Sequence, residues 1–199
     1  MTTLALPAPA APATTHVGDV DNRAAYVGFG LAYVLGHGAT AVSRGDDPLF
    51  ALPGWLPPAL LAAGLAAGTV FSTLAATRAQ RGADQRTALI GKLLGLSWIT
   101  GFAALFLAIT GLTTIAGTAD LPTVLWPTGS GLVVGLLYIA EGVARRNLVH
   151  YTLGSWLALI STIALVAGTP GLFWILAIAG GGAYAIALVL ERRRLAHIR

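Results

Sequence analysis

Apolar residues run through most of this chain in long stretches separated by short polar segments. None shows the period-2 alternation of a half-buried strand or a barrel strand. The apolar stretches are about 24–42, 57–76, 93–113, 125–144, 151–167 and 172–190. Each approaches the roughly 20 residues a helix needs to cross hydrocarbon. Backbone groups inside lipid must be bonded within the protein, so runs of this kind read as helices. The predicted fold class is all-α: a polytopic integral membrane protein, a compact bundle of six transmembrane helices with short loops.

The polar segments divide the chain. Residues 1–22 are rich in Ala, Pro and Thr and lack apolar periodicity, which predicts a disordered cytoplasmic tail. The transmembrane domain is expected over residues 23–191, followed by a short basic cytoplasmic tail over 192–199. Gly168-Thr169-Pro170-Gly171 between the fifth and sixth stretches predicts a tight helical hairpin. The fourth stretch carries Pro122 and Pro127 near its start. Proline is comfortable only in a first helical turn, so the continuous helix is expected to begin near Pro127, with residues 121–126 at the interface. His150 is expected in an inner loop.

Composition sharpens the class. Hydrophobic residues make up 56% of the 199 and charged residues 10%, against about 25% charged in a soluble domain. Too little polarity remains to cover a water-facing surface, and too much apolarity for disorder. Cysteine is absent, which removes disulfides and thiolate metal sites. The net charge of +4 resolves into topology once the charges are located. Eleven of the 12 Lys and Arg (Arg23; Arg78, Arg81, Arg86, Lys92; Arg145, Arg146; Arg192, Arg193, Arg194, Arg199) fall at one side of a six-span arrangement, and Arg44 alone at the other. Asp46, Asp47 and Asp120 share the Arg44 side. The positive-inside rule then places both termini in the cytoplasm and the protein in the cell (cytoplasmic) membrane, with no nucleic acid partner implied.

Glycine is abundant, 25 residues. Pairs four apart occur at Gly64 and Gly68, Gly91 and Gly95, and Gly131 and Gly135; Gly181 lies between Ala177 and Ala185 at the same spacing. Small residues at this period make flat stripes along which helix backbones approach. Gly64, Gly68, Gly131, Gly135 and Gly181 are the packing candidates.

Few residues carry chemistry. His37 lies in the outer third of the first span with Tyr33 one turn before it. A buried imidazole there serves either an interhelical hydrogen bond or a solute or proton path, with haem or metal ligation the weakest reading. Glu141 is the acid deepest in a span, one turn from Arg145 and on the same face as Tyr138. It reads either as an (i, i+4) ion pair with Arg145 or as a cytoplasmic gate. Tyr33, His37 and Glu141 are therefore the substrate-path candidates. The scattered Ser and Thr hydroxyls are expected to bond carbonyls one turn back.

No catalytic, dinucleotide or phosphate-loop motif is present, and no spacing of metal ligands. An enzyme, a metal site and a cofactor are not expected. The leading expectation is a small-solute transporter or channel-like protein, with the lipid bilayer as its surroundings and a homo-oligomer or a partner membrane or cytoplasmic protein as company. The alternative is a non-catalytic accessory, scaffold or regulatory subunit of a larger complex.

Overall fold

In the computed structural model, which describes residues 19–198, the chain is an all-α bundle. Of the predicted tail, residues 1–18 lie outside the described residues. Five helical stretches are long and apolar enough to cross a membrane, by length and composition: Arg23–Ser43, Leu56–Ala79, Gln85–Ala116, Leu121–Ala144 and Leu148–His197. We label the first four α1 to α4. The last bends back on itself at Gly168 (φ 61°, ψ −175°) and Thr169 (φ −92°, ψ 134°), giving α5 (148–167) and α6 (170–198). Reversal is shown by the Trp156 indole, which donates to the Ala179 carbonyl at 3.0 Å. A straight helix would hold those two residues about 35 Å apart.

Helix limits differ from expectation where polar residues continue the coil. Helix α3 begins eight residues before its apolar stretch, because Asp84 caps it by accepting from the Thr87 N–H at 2.8 Å. That bond and a second from the Thr87 hydroxyl hold the Asp84 carboxyl below its ordinary range. Helix α4 starts at Leu121 and not near Pro127. Pro122 sits in the first turn, where its missing N–H costs nothing, and Pro127 removes one ladder bond further in. The Thr128 hydroxyl bonds the Val124 carbonyl beside it. Helix α6 continues through the basic segment to Ile198.

Helix α1 lies between α2 and α6, and α4 between α3 and α5. Glycines set the closest seams. A Cβ on Gly64 would stand 2.5 Å from Ala32 N, and one on Gly28 would stand 2.5 Å from Gly68 N, so α1 and α2 meet backbone to backbone. A Cβ on Gly135 would lie 2.5 Å from Ala158 N, and one on Gly142 2.6 Å from Tyr151 N, which gives α4 and α5 the same intimacy. Gly131 abuts Ser161, and Gly181 abuts Val34. Gly91 meets only the Gln80 side chain and Gly95 faces open space. Helices α2 and α3 do not pack along one another although they are consecutive.

The ends of the bundle sort by charge. Asn22 N–H donates to Glu191 at 3.3 Å and Arg194 reaches Asp19 at 3.3 Å, which joins the start of α1 to the end of α6. Arg23, Arg78 and Arg192 border one groove, so the α2–α3 turn lies at that end as well. At the other end Gly45 approaches Pro170, and Arg44 shares a cavity with Pro122 and Trp126.

Candidate functional site

A cavity of about 790 Å³ occupies the space between α1, α2, α3, α4 and α6. Arg44, Leu52 and Trp126 mark its mouth at the acidic end of the bundle, and Trp98, Tyr184 and Val134 lie deeper. Its wall is largely aromatic and aliphatic, with Thr40, Thr69, Thr123 and Ser130 as scattered hydroxyls. No carboxylate is among its lining residues.

Tyr33 and His37 stand in this wall on α1. They belong to a π-helical turn, Ala32–His37, which keeps the two rings edge to face with centroids 5.1 Å apart. A second π turn, Leu176–Gly180 on α6, packs against the first. The Tyr33 ring seats on Gly180, and His37 stacks on Phe173 at 6.1 Å. Such wide turns insert a residue into a helix without breaking it and are frequent at functional sites. Here the insertion turns Tyr33 and His37 toward the cavity.

Glu141 lies elsewhere, at the basic end, in a cluster that the sequence pattern did not reveal. Its Oε2 is 3.0 Å from His150 Nε2. On the other side of that ring, Nδ1 is 2.7 Å from the Tyr26 hydroxyl. The Tyr138 ring covers the imidazole at 4.1 Å. The acid thus engages His150, with Arg145 contributing through space, and the Trp98 ring stands edge-on to Tyr138 with centroids 5.8 Å apart. His150 is not in a loop: it sits in the first turn of α5, where the Asn147 side chain accepts from its N–H at 3.1 Å.

Tyr26 and His150 are nearly sealed, at 1% and 4% exposed, while the Glu141 side chain keeps 21% exposure. A carboxylate only accepts, so a neutral His150 presents Nε2–H to Glu141, and its Nδ1 lone pair takes the Tyr26 O–H. The Nε2 contact has ion-pair distance without hydrogen-bond alignment. Tyr184 joins the two regions: it lines the cavity, and its ring lies 5.3 Å from Tyr33 and 6.1 Å from Tyr26. Trp98 does the same from α3, lining the cavity while its ring meets Tyr138 edge-on at 5.8 Å.

No family model matches the chain, and no curated protein or solved structure is similar to it. The function is therefore argued from the site alone.

The structure brings Tyr33 and His37 together and leaves Glu141 in the second cluster, linked to the first through Tyr184 and Trp98. Among the described residues no three His, Asp or Glu side chains converge as metal ligands. Sequence reasoning missed Tyr26, Trp98, His150 and Tyr184. For His150 a signal existed: Asn147 three residues before it is an N-cap residue ahead of an apolar run. Some hydroxyls within the apolar stretches bond a carbonyl one turn back, as Ser97, Thr128 and Thr162 do to those of Leu93, Val124 and Ala158, while Thr69, Ser72, Thr73, Thr100, Thr110, Ser130 and Ser161 make no such bond. Ser161 is fully buried with its hydroxyl unpartnered.

Proposed function

We propose that this protein crosses the membrane six times with both termini cytoplasmic and acts as a small-solute transporter or channel-like protein. The observation that carries the reading is the cavity of about 790 Å³ lined by five helices with Tyr33 and His37 in its wall. Volumes of this order suit a small organic molecule. Supporting the topology, the basic helix ends and turns gather at one end of the bundle and the acidic loops at the other. The hairpin at Gly168 supports an even number of passes, in keeping with the start of α1 and the end of α6 meeting through Glu191 and Arg194.

The lining indicates the solute. Aromatic walls favour an apolar body. Arg44 at the mouth, His37 within and the absence of lining carboxylates favour a negative or hydrogen-bond-accepting group over a cation.

Proteoliposomes test this with radiolabelled benzoate at about pH 8, where the freely permeating neutral acid is scarce. Benzoate should enter faster than into protein-free vesicles, and His37→Ala should slow it by about threefold or more. An unchanged rate removes His37 from the path, and equal uptake of benzylamine removes the charge argument. Single cysteines at Asp47 and Gln85, both exposed, test the topology in a chain with no native thiol. An impermeant thiol reagent should reach them from opposite sides of the membrane; labelling from one side defeats the six-span arrangement.

One observation favours the alternative of an accessory or scaffold subunit. Helix α3 buries only Leu94 and Ile109 along its 32 residues and is held by α4 alone. Such a helix suits a neighbour in the membrane. Stoichiometric co-purification of another membrane protein in mild detergent, with no benzoate uptake, would favour that role.

A further inference from the structure

The Tyr26–His150–Glu141 cluster has no place in a simple solute path, since it lies beyond the inner floor of the cavity. It is also costly. An acid and an imidazole meet between helices, where Glu191, the other buried acid, is instead paired with Arg194, and ionisable groups inside a membrane domain mark proton or ion handling. Three helices converge to build it: α1 supplies Tyr26, α4 supplies Tyr138 and Glu141, and α5 supplies His150.

We propose that Tyr26, His150 and Glu141 form a proton-binding site whose charge state is passed through Tyr138 and Trp98 to the floor of the solute cavity. The inference rests on the cavity being the solute path and adds to it that solute movement is coupled to protons.

The proton balance is simple. In the resting arrangement Glu141 is ionised, His150 carries its proton on Nε2, and the Tyr26 hydroxyl donates to Nδ1. One proton taken from water binds Nδ1; the Tyr26 hydroxyl rotates to accept from it, and an imidazolium–carboxylate pair results. No other bond changes, and the site gains one positive charge.

Other groups set the field around this pair. From α4, Arg145 acts on Glu141 and the tilted Tyr138 ring covers the imidazole. From α6, Tyr184 lies against Tyr26, while Glu191 and Arg194 act on Tyr26. From α3, the contributor is the neutral Trp98 indole, edge-on to Tyr138 at 5.8 Å. Transmission to the cavity follows from this packing: a charge gained on the imidazole acts on the Tyr138 ring over it and on the Trp98 ring against Tyr138. Trp98 itself lines the cavity.

Ser130 lines the same cavity on α4, and Ser130→Cys is nearly isosteric. In nanodiscs, the labelling rate of this cysteine by an impermeant methanethiosulfonate is measured from about pH 5.5 to about pH 8, with and without Glu141→Gln. The thiol's own titration is common to both chains and cancels in their ratio. The expected result is a ratio that changes by about threefold or more across the range, with one step. His37→Gln should leave that step in place. A flat ratio, or a step in the ratio that disappears when both chains carry His37→Gln, overturns the proton site while leaving the cavity as solute path. A cysteine at Ser130 that never labels overturns the cavity reading itself and the inference with it. If Glu141→Gln does not fold, Tyr26→Phe keeps the ion pair and removes the Nδ1 partner. Its midpoint should move by about half a pH unit or more, and an unmoved midpoint overturns the proposal.

Discussion

At Gly64 the backbones of α1 and α2 are so close that any side chain would have to displace Ala32, whose N and Cα lie 2.5 and 2.6 Å from an ideal Cβ. Gly95 has the same companion glycine four residues away and meets nothing within 4 Å. The two positions look alike in the sequence, since period-four spacing records only that a stripe exists. What faces the stripe depends on the neighbouring helix, and α2 has α1 against it while the Gly95 face of α3 has no partner among the described residues. Gly64→Val should therefore destabilise the fold by about 2 kcal/mol or more, as overpacking against backbone does, and Gly95→Val should stay within about 0.5 kcal/mol of the parent. Unfolding in mixed detergent micelles measures both. Equal effects would mean that the α1–α2 seam is looser than the glycines require. The same distinction governs the polar candidates: His37 and Tyr33 were legible because both lie on one face of one helix, whereas Tyr26 and His150 are 124 positions apart and meet only through tertiary packing.

Among the elements, long apolar runs and the Gly-Thr-Pro-Gly turn were readable because they depend on local composition and backbone freedom. The π turns at Ala32–His37 and Leu176–Gly180 were not, since they arise where Tyr33 presses on Gly180 and Val34 on Gly181 across two helices. Polar helix ends were also hidden, because apolarity marks the hydrocarbon part of a helix and not its full length. The extension of α6 matters for assembly. Glu191 is fully buried, bonded by Arg194 at 2.8 and 2.9 Å and by the Asn22 N–H at 3.3 Å. Arg194 also reaches the Val20 carbonyl at 3.0 Å, so one side chain ties the entry of α1 to the last turns of α6. Arg194→Ala leaves a buried carboxylate without its cation and should cost about 3–5 kcal/mol. Adding Glu191→Gln should recover part of that loss, since the greater share is the stranded charge and not the missing contact. Thermal unfolding of the single and double variants decides the matter; no recovery would mean that Arg194 acts through packing alone.

At the scale of the whole molecule, the parting of α2 and α3 decides how a solute would reach the cavity in the proposed membrane-spanning arrangement. Each of these helices leans on a different neighbour, α2 on α1 and α3 on α4, and both contribute to the cavity wall through Leu61 and Leu65 on one side and Trp98 and Phe102 on the other. A space bounded by two helices that do not touch along their length faces the acyl chains unless another molecule covers it. An apolar solute would then enter sideways from the bilayer, where it is already concentrated, and a polar one would enter past Arg44. Trp98 reports which. With Trp55, Trp126, Trp156 and Trp174 replaced by Phe, lipids brominated near mid-chain should quench Trp98 about as strongly as a reference tryptophan at Ile99, which is 68% exposed on the outer face of α3; the reference chain carries Trp98→Phe. Comparable quenching establishes a lateral entrance. Trp98 shielded from bromine but quenched by acrylamide establishes an aqueous one. Shielding from both would show α2 and α3 closed over by a second copy or another subunit, and would shift the balance toward the accessory role.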